Sequence, residues 1–113
     1  MKVIIAGSRS IYDYQVVVDA IEDCGFQFTE IVSGGAKGVD STAERLAFMF
    51  DMPFRLFKAD WGKHGKSSGP IRNRQMAQYA DALVLVWDGK SRGSKNMLEE
   101  MRKLGKPIYE HII

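Results

Sequence analysis

Six consecutive apolar residues, Ala82-Leu83-Val84-Leu85-Val86-Trp87, run without a polar interruption and stop abruptly at Asp88-Gly89-Lys90-Ser91. A strand with one wet face alternates polar and apolar side chains. One with no alternation is covered on both faces, the environment of a parallel sheet held between helices. Shorter apolar runs repeat the theme: Val3 to Ala6, Phe28 to Val32, Pro53 to Phe57 and Ile108 to Ile112 read as four further strands. Helical periodicity fills the intervals. It predicts a helix over Tyr14 to Asp23 (Val17, Ala20 and Ile21 on one face) and another over Val39 to Phe50 (Ala43, Leu46, Ala47 and Phe50 inward). A third opens at Pro70 and carries Ile71, Met76 and Tyr79, and a fourth covers Lys95 to Leu104 with Met97, Leu98 and Met101 together. Asp13 is the expected N-cap of the first helix and Gly25 its stop. Strand and helix alternating in this way predict an α/β fold, with a mainly parallel five-stranded sheet and helices on both faces.

A length of 113 residues leaves room for one domain, residues 1–113. The formal net charge of +2 excludes a strongly basic domain that grips nucleic acid over its whole surface, so any positive site is local. Cys24 is the single cysteine, which rules out an internal disulfide and fits a reducing compartment; beside Gly25 it reads as a packing residue. The run Val3 to Ala6 is too short for a signal-peptide core or a membrane span, so a cytoplasmic protein without membrane contact is expected. His64 and His111 have no partner at ligand spacing, and no metal is expected.

Three glycine-rich segments leave predicted strand ends: Gly7-Ser8-Arg9, Ser33-Gly34-Gly35-Ala36-Lys37-Gly38, and Gly89-Lys90-Ser91-Arg92-Gly93-Ser94. In doubly wound sheets ligands bind at the carboxyl ends of the strands. Glycine lets an anion approach the backbone, and a helix N-terminus presents free N–H groups with partial positive charge. Ser33, Ser91 and Ser94 add hydroxyl donors, while Lys37, Lys90 and Arg92 can neutralise phosphate. Tight turns alone would also use glycine, but they do not call for a basic residue in each segment. Neither Gly-x-x-x-x-Gly-Lys-Ser nor Gly-x-Gly-x-x-Gly occurs, which argues against a P-loop NTPase and a standard NAD dehydrogenase.

A second unusual stretch, Lys58 to Arg74, holds Lys58, Lys63, Lys66, Arg72 and Arg74 against one acid, Asp60, with Trp61 and His64 among them. Its first part, Lys58 to Gly69, reads as a long polar loop of the functional kind. Trp61 could stack a base, and the cations could clamp phosphate. Arg72 and Arg74 sit at the start of a predicted helix, where the dipole disfavours cations unless an anion is near. Glu99 and Glu100 fall on a charged outer helix face and are expected to be solvated. Met97 and Met101 read as packing residues, in the core or at a subunit contact.

Taken together, these segments resemble the SLOG superfamily, and within it the YspA/YpsA-related group. The resemblance rests on Gly7-Ser8-Arg9, Asp13-Tyr14, Ser33 through Asp40 with Ala43-Glu44, Ala59-Asp60-Trp61, Gly69 through Met76, Ala80-Asp81-Ala82, and Trp87 through Met97. It implies a single Rossmann-like three-layer domain with a nucleotide site built from the loops just described. Gly7, Ser8, Arg9, Ser33, Gly34, Gly35, Lys37, Gly38, Asp40, Trp61, Arg72, Arg74, Asp88, Lys90, Ser91, Arg92, Gly93 and Ser94 are the candidate ligand-binding residues. The phosphates are expected on Gly34, Gly35, Gly38, Gly93 and Ser94.

The relatives differ in activity. LOG-type members cleave the N-glycosidic bond of nucleoside monophosphates with an arginine and a glutamate; here Met97 stands where counting places the glutamate, so no catalytic residue is assigned. Loss of that carboxylate removes the obvious group to stabilise an oxocarbenium-like centre. The leading expectation is a protein that holds a nucleotide or ADP-ribose-like molecule as a sensor or sequestering protein in phage or bacterial signalling, with no required cofactor. The alternatives are a LOG-type nucleotide N-glycosidase or phosphoribohydrolase using Asp88, Asp40 or Glu99, and single-stranded DNA binding of the DprA/Smf kind. A homodimer or higher homo-oligomer is expected, because a chain this short offers a shallow site.

Overall fold

The computed structural model describes residues 1–113. In chain order the elements are β1 (Lys2–Gly7), α1 (Tyr14–Asp23), β2 (Glu30–Ser33), α2 (Val39–Met49), β3 (Phe54–Leu56), α3 (Trp61–His64), a 3₁₀ turn (Gly65–Ser67), α4 (Ser68–Tyr79), β4 (Ala82–Trp87), α5 (Arg92–Lys103) and β5 (Ile108–Ile112). The sheet order is β3-β2-β1-β4-β5 and every pairing is parallel. It is the expected Rossmann-like three-layer α/β domain, with the sheet parallel throughout.

Period-two alternation divides the central strands between two cores. Val3 and Ile5 of β1, with Ala82, Val84 and Val86 of β4, face α1 and α2. Ile4 and Ala6, with Leu83, Leu85 and Trp87, face α4 and α5. Every residue of β4 is buried, which is why no polar side chain interrupts it. No helix is long and apolar enough to cross a membrane.

Several boundaries and exposures differ from the sequence reading. The stretch read as a polar loop contains α3 and a 3₁₀ turn, and α4 begins at Ser68 rather than Pro70. Asp60 caps α3 by accepting from Lys63 N at 3.1 Å, and the Ser68 hydroxyl closes the segment on the carbonyls of Asp60 and Gly65 at 2.8 and 2.7 Å. Such local side-chain caps order a short segment without any apolar stripe to announce it. Phe28 and Thr29 lie outside β2, and α5 starts three residues before Lys95, at Arg92. Phe50 is 59% exposed because α2 ends before it. Glu100 is 5% exposed rather than solvated, and the Arg74 and Lys103 side chains lie over it at 3.4 and 3.5 Å. Met97 and Met101 are buried within this chain, which removes them from any subunit surface.

Candidate functional site

The chain reverses direction across the sheet between β1 and its neighbours β2 and β4, the position where open parallel sheets leave a crevice beyond their carboxyl ends. Ser8, straight after β1, straps this point together: its N–H donates to Val86 O and its Oγ accepts from Asp88 N, both at 3.1 Å. A cleft of about 140 Å³ opens beside the strap. Its walls are Ala6, Gly7 and Arg9 from β1 and the segment after it, Ala36 and Asp40 from the start of α2, Arg72, Asn73 and Met76 from α4, and Ser91, Gly93, Ser94 and Met97 from α5.

Arg72 reaches across from α4. Its Nη1 donates to Gly34 O at 2.7 Å and its Nε to Asn73 Oδ1 at 3.1 Å. Gly34 has no side chain for this reason: a Cβ there would meet the guanidinium at 2.6 Å. Asn73, 6% exposed, also donates through Nδ2 to Gly93 O at 3.2 Å and Asn96 Oδ1 at 2.9 Å, tying the arginine to the first turn of α5. Asp40 forms the opposite wall and accepts from Ala36 N at 3.3 Å. Burial pushes its carboxyl up to about 6, against the opposing pull of the Ala36 N–H and the Arg72 charge. Burial likewise draws Arg72 below the usual guanidinium range; Asp40 opposes that shift and Arg9 adds to it.

The Asp40 shift sets a pH prediction. A carboxyl that holds its proton to about 6 in the folded chain, against 3.8 as a free side chain, favours the folded state fully below the lower value. The contribution is lost as pH rises through the upper one. Asp40→Asn, neutral at every pH, is expected to abolish this decline. Melting of the two proteins between about pH 4 and pH 8 would diverge by up to about 3 kcal/mol in favour of the variant at the alkaline end.

The α5 N-terminus supplies the donors. Asp88 Oδ1 accepts from Lys90 N and Ser91 N at 2.8 and 2.9 Å, and these bonds hold its carboxyl below the usual range. Ser91 Oγ accepts weakly from Ser94 N at 3.5 Å. The N–H groups of Arg92 and Gly93 are left without a protein acceptor. Ser94 is 4% exposed, lines the cleft, and its Oγ is the one buried side-chain polar atom in the molecule without a hydrogen-bond partner. An orphaned hydroxyl costs about 1–3 kcal/mol, so its retention against the cleft needs a reason.

The cleft thus gathers Gly7, Arg9, Asp40, Arg72, Ser91, Gly93 and Ser94 from the sequence candidates. The second glycine segment is partly closed, and within it the N–H groups of Lys37 and Gly38 are left without a protein hydrogen bond. Ser33 Oγ takes the Gly35 N–H, Asp40 takes that of Ala36, Arg72 covers Gly34, and Gly38 packs under the carbonyls of Ser8 and Arg9. Lys37, Lys90 and Arg92 are exposed and form no part of the wall, and Ser8 and Asp88 hold the loops together. Arg74 points elsewhere, pairing with Glu100, because residues two apart on a helix cannot share a face. Trp61 is 54% exposed at the start of α3, with its ring edge near Gly69. Asn73 was missed as a site residue. It sits on the buried stripe that continues through Met76, Ala77 and Ala80, and a polar residue on such a stripe was the available signal.

Comparison with known proteins agrees with this architecture. The model of the YspA, cpYpsA-related SLOG family matches residues 1–64. The Gene 61 protein of Mycobacterium phage D29 is 34% identical, over 95% of this chain and 93% of that protein. The structure of DNA processing protein A (DprA) from Streptococcus pneumoniae superimposes with a TM-score of 0.77 at 22% identity, over 96% of this chain and 49% of that one; the likeness is one of fold. The family model, the phage relative and the loops around the cleft converge: this chain belongs to the YspA, cpYpsA-related SLOG family.

Proposed function

We propose that this protein binds a nucleotide or nucleotide-derived, ADP-ribose-like ligand, with a phosphate lodged against the first turn of α5. The observation that carries the reading is Ser94. Its buried, unpartnered hydroxyl belongs to the same helix turn as the free N–H groups of Arg92 and Gly93, and Ser94 lines one cleft with Arg72. A helix N-terminus with a fixed guanidinium opposite is a ready anion site. A volume of about 140 Å³ is below the several hundred of a whole-ligand pocket, so the phosphate and part of the sugar enter while the base lies at the rim. Holding such a ligand without turnover suits a sensor or a sequestering protein, and the phage relative is in keeping with either.

Ser94→Ala tests this with effects of opposite sign. Removing an unsatisfied buried hydroxyl is expected to leave the free protein as stable or about 1 kcal/mol more stable. Affinity for AMP, measured by calorimetry, should fall on the order of tenfold as one charge-assisted donor is lost. Unchanged affinity would remove the hydroxyl from the site, and an AMP titration without heat or thermal shift would remove the function.

Asp40 favours a second reading, hydrolysis of an N-glycosidic bond. Of the carboxylates Asp40, Asp88 and Glu99, only Asp40 lines the cleft, and a carboxyl titrating near 6 is suited to general acid–base work. Base release from AMP that disappears in Asp40→Asn would establish it; an inert wild type would dismiss it.

A further inference from the structure

A second cleft of about 220 Å³ lies on the other side of Arg72, lined also by Lys58, Asp60, Lys63, His64 and Gln75. Arg72 lines both cavities, so its side chain is common to the two. None of the basic side chains here makes an ion pair. The molecule's two ion pairs both end on Glu100, so no carboxylate lies within 4.0 Å of the Lys58, Lys63, His64 or Arg72 side-chain nitrogens. The lone acid, Asp60, already accepts from Lys63 N at the cap of α3. Three cations, Lys58, Lys63 and Arg72, against the single carboxylate of Asp60 raise the local positive potential, which an entering anion relieves.

We infer that the second cleft takes a further anionic group of the same ligand, making the preferred ligand a nucleoside polyphosphate whose phosphate chain passes Arg72 rather than a monophosphate. The inference rests on the phosphate reading of the first cleft. One phosphate sits at the α5 N-terminus, Arg72 contacts the bridge, and Lys58 and Lys63 meet the distal phosphates as flexible point charges. The Asp60 cap orders the turn of α3 that carries Lys63, which with Lys58 lines the cavity, and this gives the ordered segment after β3 a purpose beyond connection.

Calorimetry with AMP, ADP and ATP in magnesium-free buffer of fixed ionic strength tests this. Affinity should rise along the series, on the order of tenfold or more from AMP to ATP. The double variant Lys58→Ala/Lys63→Ala changes two exposed side chains; it should abolish the rise and leave AMP affinity within about twofold. Arg102→Ala, at the far end of α5, should preserve the rise. Three nucleotides bound equally well by the wild type would overturn the inference and leave the first cleft intact. So would a rise that survives in the double variant, or tighter binding of single-stranded oligothymidylate than of ATP. Failure to bind AMP, ADP and ATP alike would overturn both the inference and the reading beneath it.

Discussion

Replacing Arg72 with alanine should lower the affinity for AMP by about two orders of magnitude or more, while Arg74→Ala leaves it within about twofold. The two arginines are two positions apart in sequence and opposite in role. Arg72 lines the cleft and is fixed by Gly34 O and by Asn73, so its guanidinium needs little further ordering to meet an anion. Loss of a preorganised, charge-assisted pair of hydrogen bonds removes about 3 kcal/mol. Arg74 is spent on Glu100. Arg72→Lys separates charge from geometry: a lysine keeps the positive charge and loses the fork, and should recover only part of the affinity. Calorimetry on variants shown to be folded by circular dichroism reads these effects. Equal losses for the two alanine variants would mean that charge on α4, rather than a placed guanidinium, attracts the ligand.

A large effect on stability is expected at Gly38. This residue caps α2 with φ 76° and ψ −126°, a conformation that side-chain-bearing residues avoid. A Cβ at this position would overlap the carbonyl oxygens of both Ser8 and Arg9. These are main-chain atoms of the segment that straps β1 to β4, and they cannot swing aside as a long side chain could. Backbone strain and overpacking each cost about 1–3 kcal/mol. Gly38→Ala should therefore lose about 3–5 kcal/mol in urea melts, a large share of the about 5–15 kcal/mol typical of a domain. A loss below about 1 kcal/mol would show that the strap yields and that the cleft is not rigid.

The sheet was legible in the sequence because burial on both faces leaves no ambiguity in β1 and β4. Helices α1, α2 and α5 were legible from their apolar spacing. The segment after β3 was not. Trp61, Lys63 and Lys66 are all exposed, so no periodicity marks α3, and its order comes from the Asp60 and Ser68 caps. Glycine and serine at strand ends located the crevice but did not separate roles. Ser8, Ser33 and Asp88 spend their hydrogen bonds on neighbouring loops, while Ser94 spends none. Sequence supplies the donors, and only the fold reveals which are already used. Arg74 was grouped with Arg72 by proximity in the chain, a grouping that the turn of a helix undoes.

The central claim is that an anion is held by main-chain N–H groups at the start of α5. Amide chemical shifts followed by NMR during an AMP titration test it residue by residue. The largest displacements should fall on Arg92, Gly93 and Ser94, with the Arg72 side-chain N–H moving alongside. Shifts concentrated at Ser33 to Gly38, with the α5 amides unmoved, would contradict the account and place the ligand on the other loop.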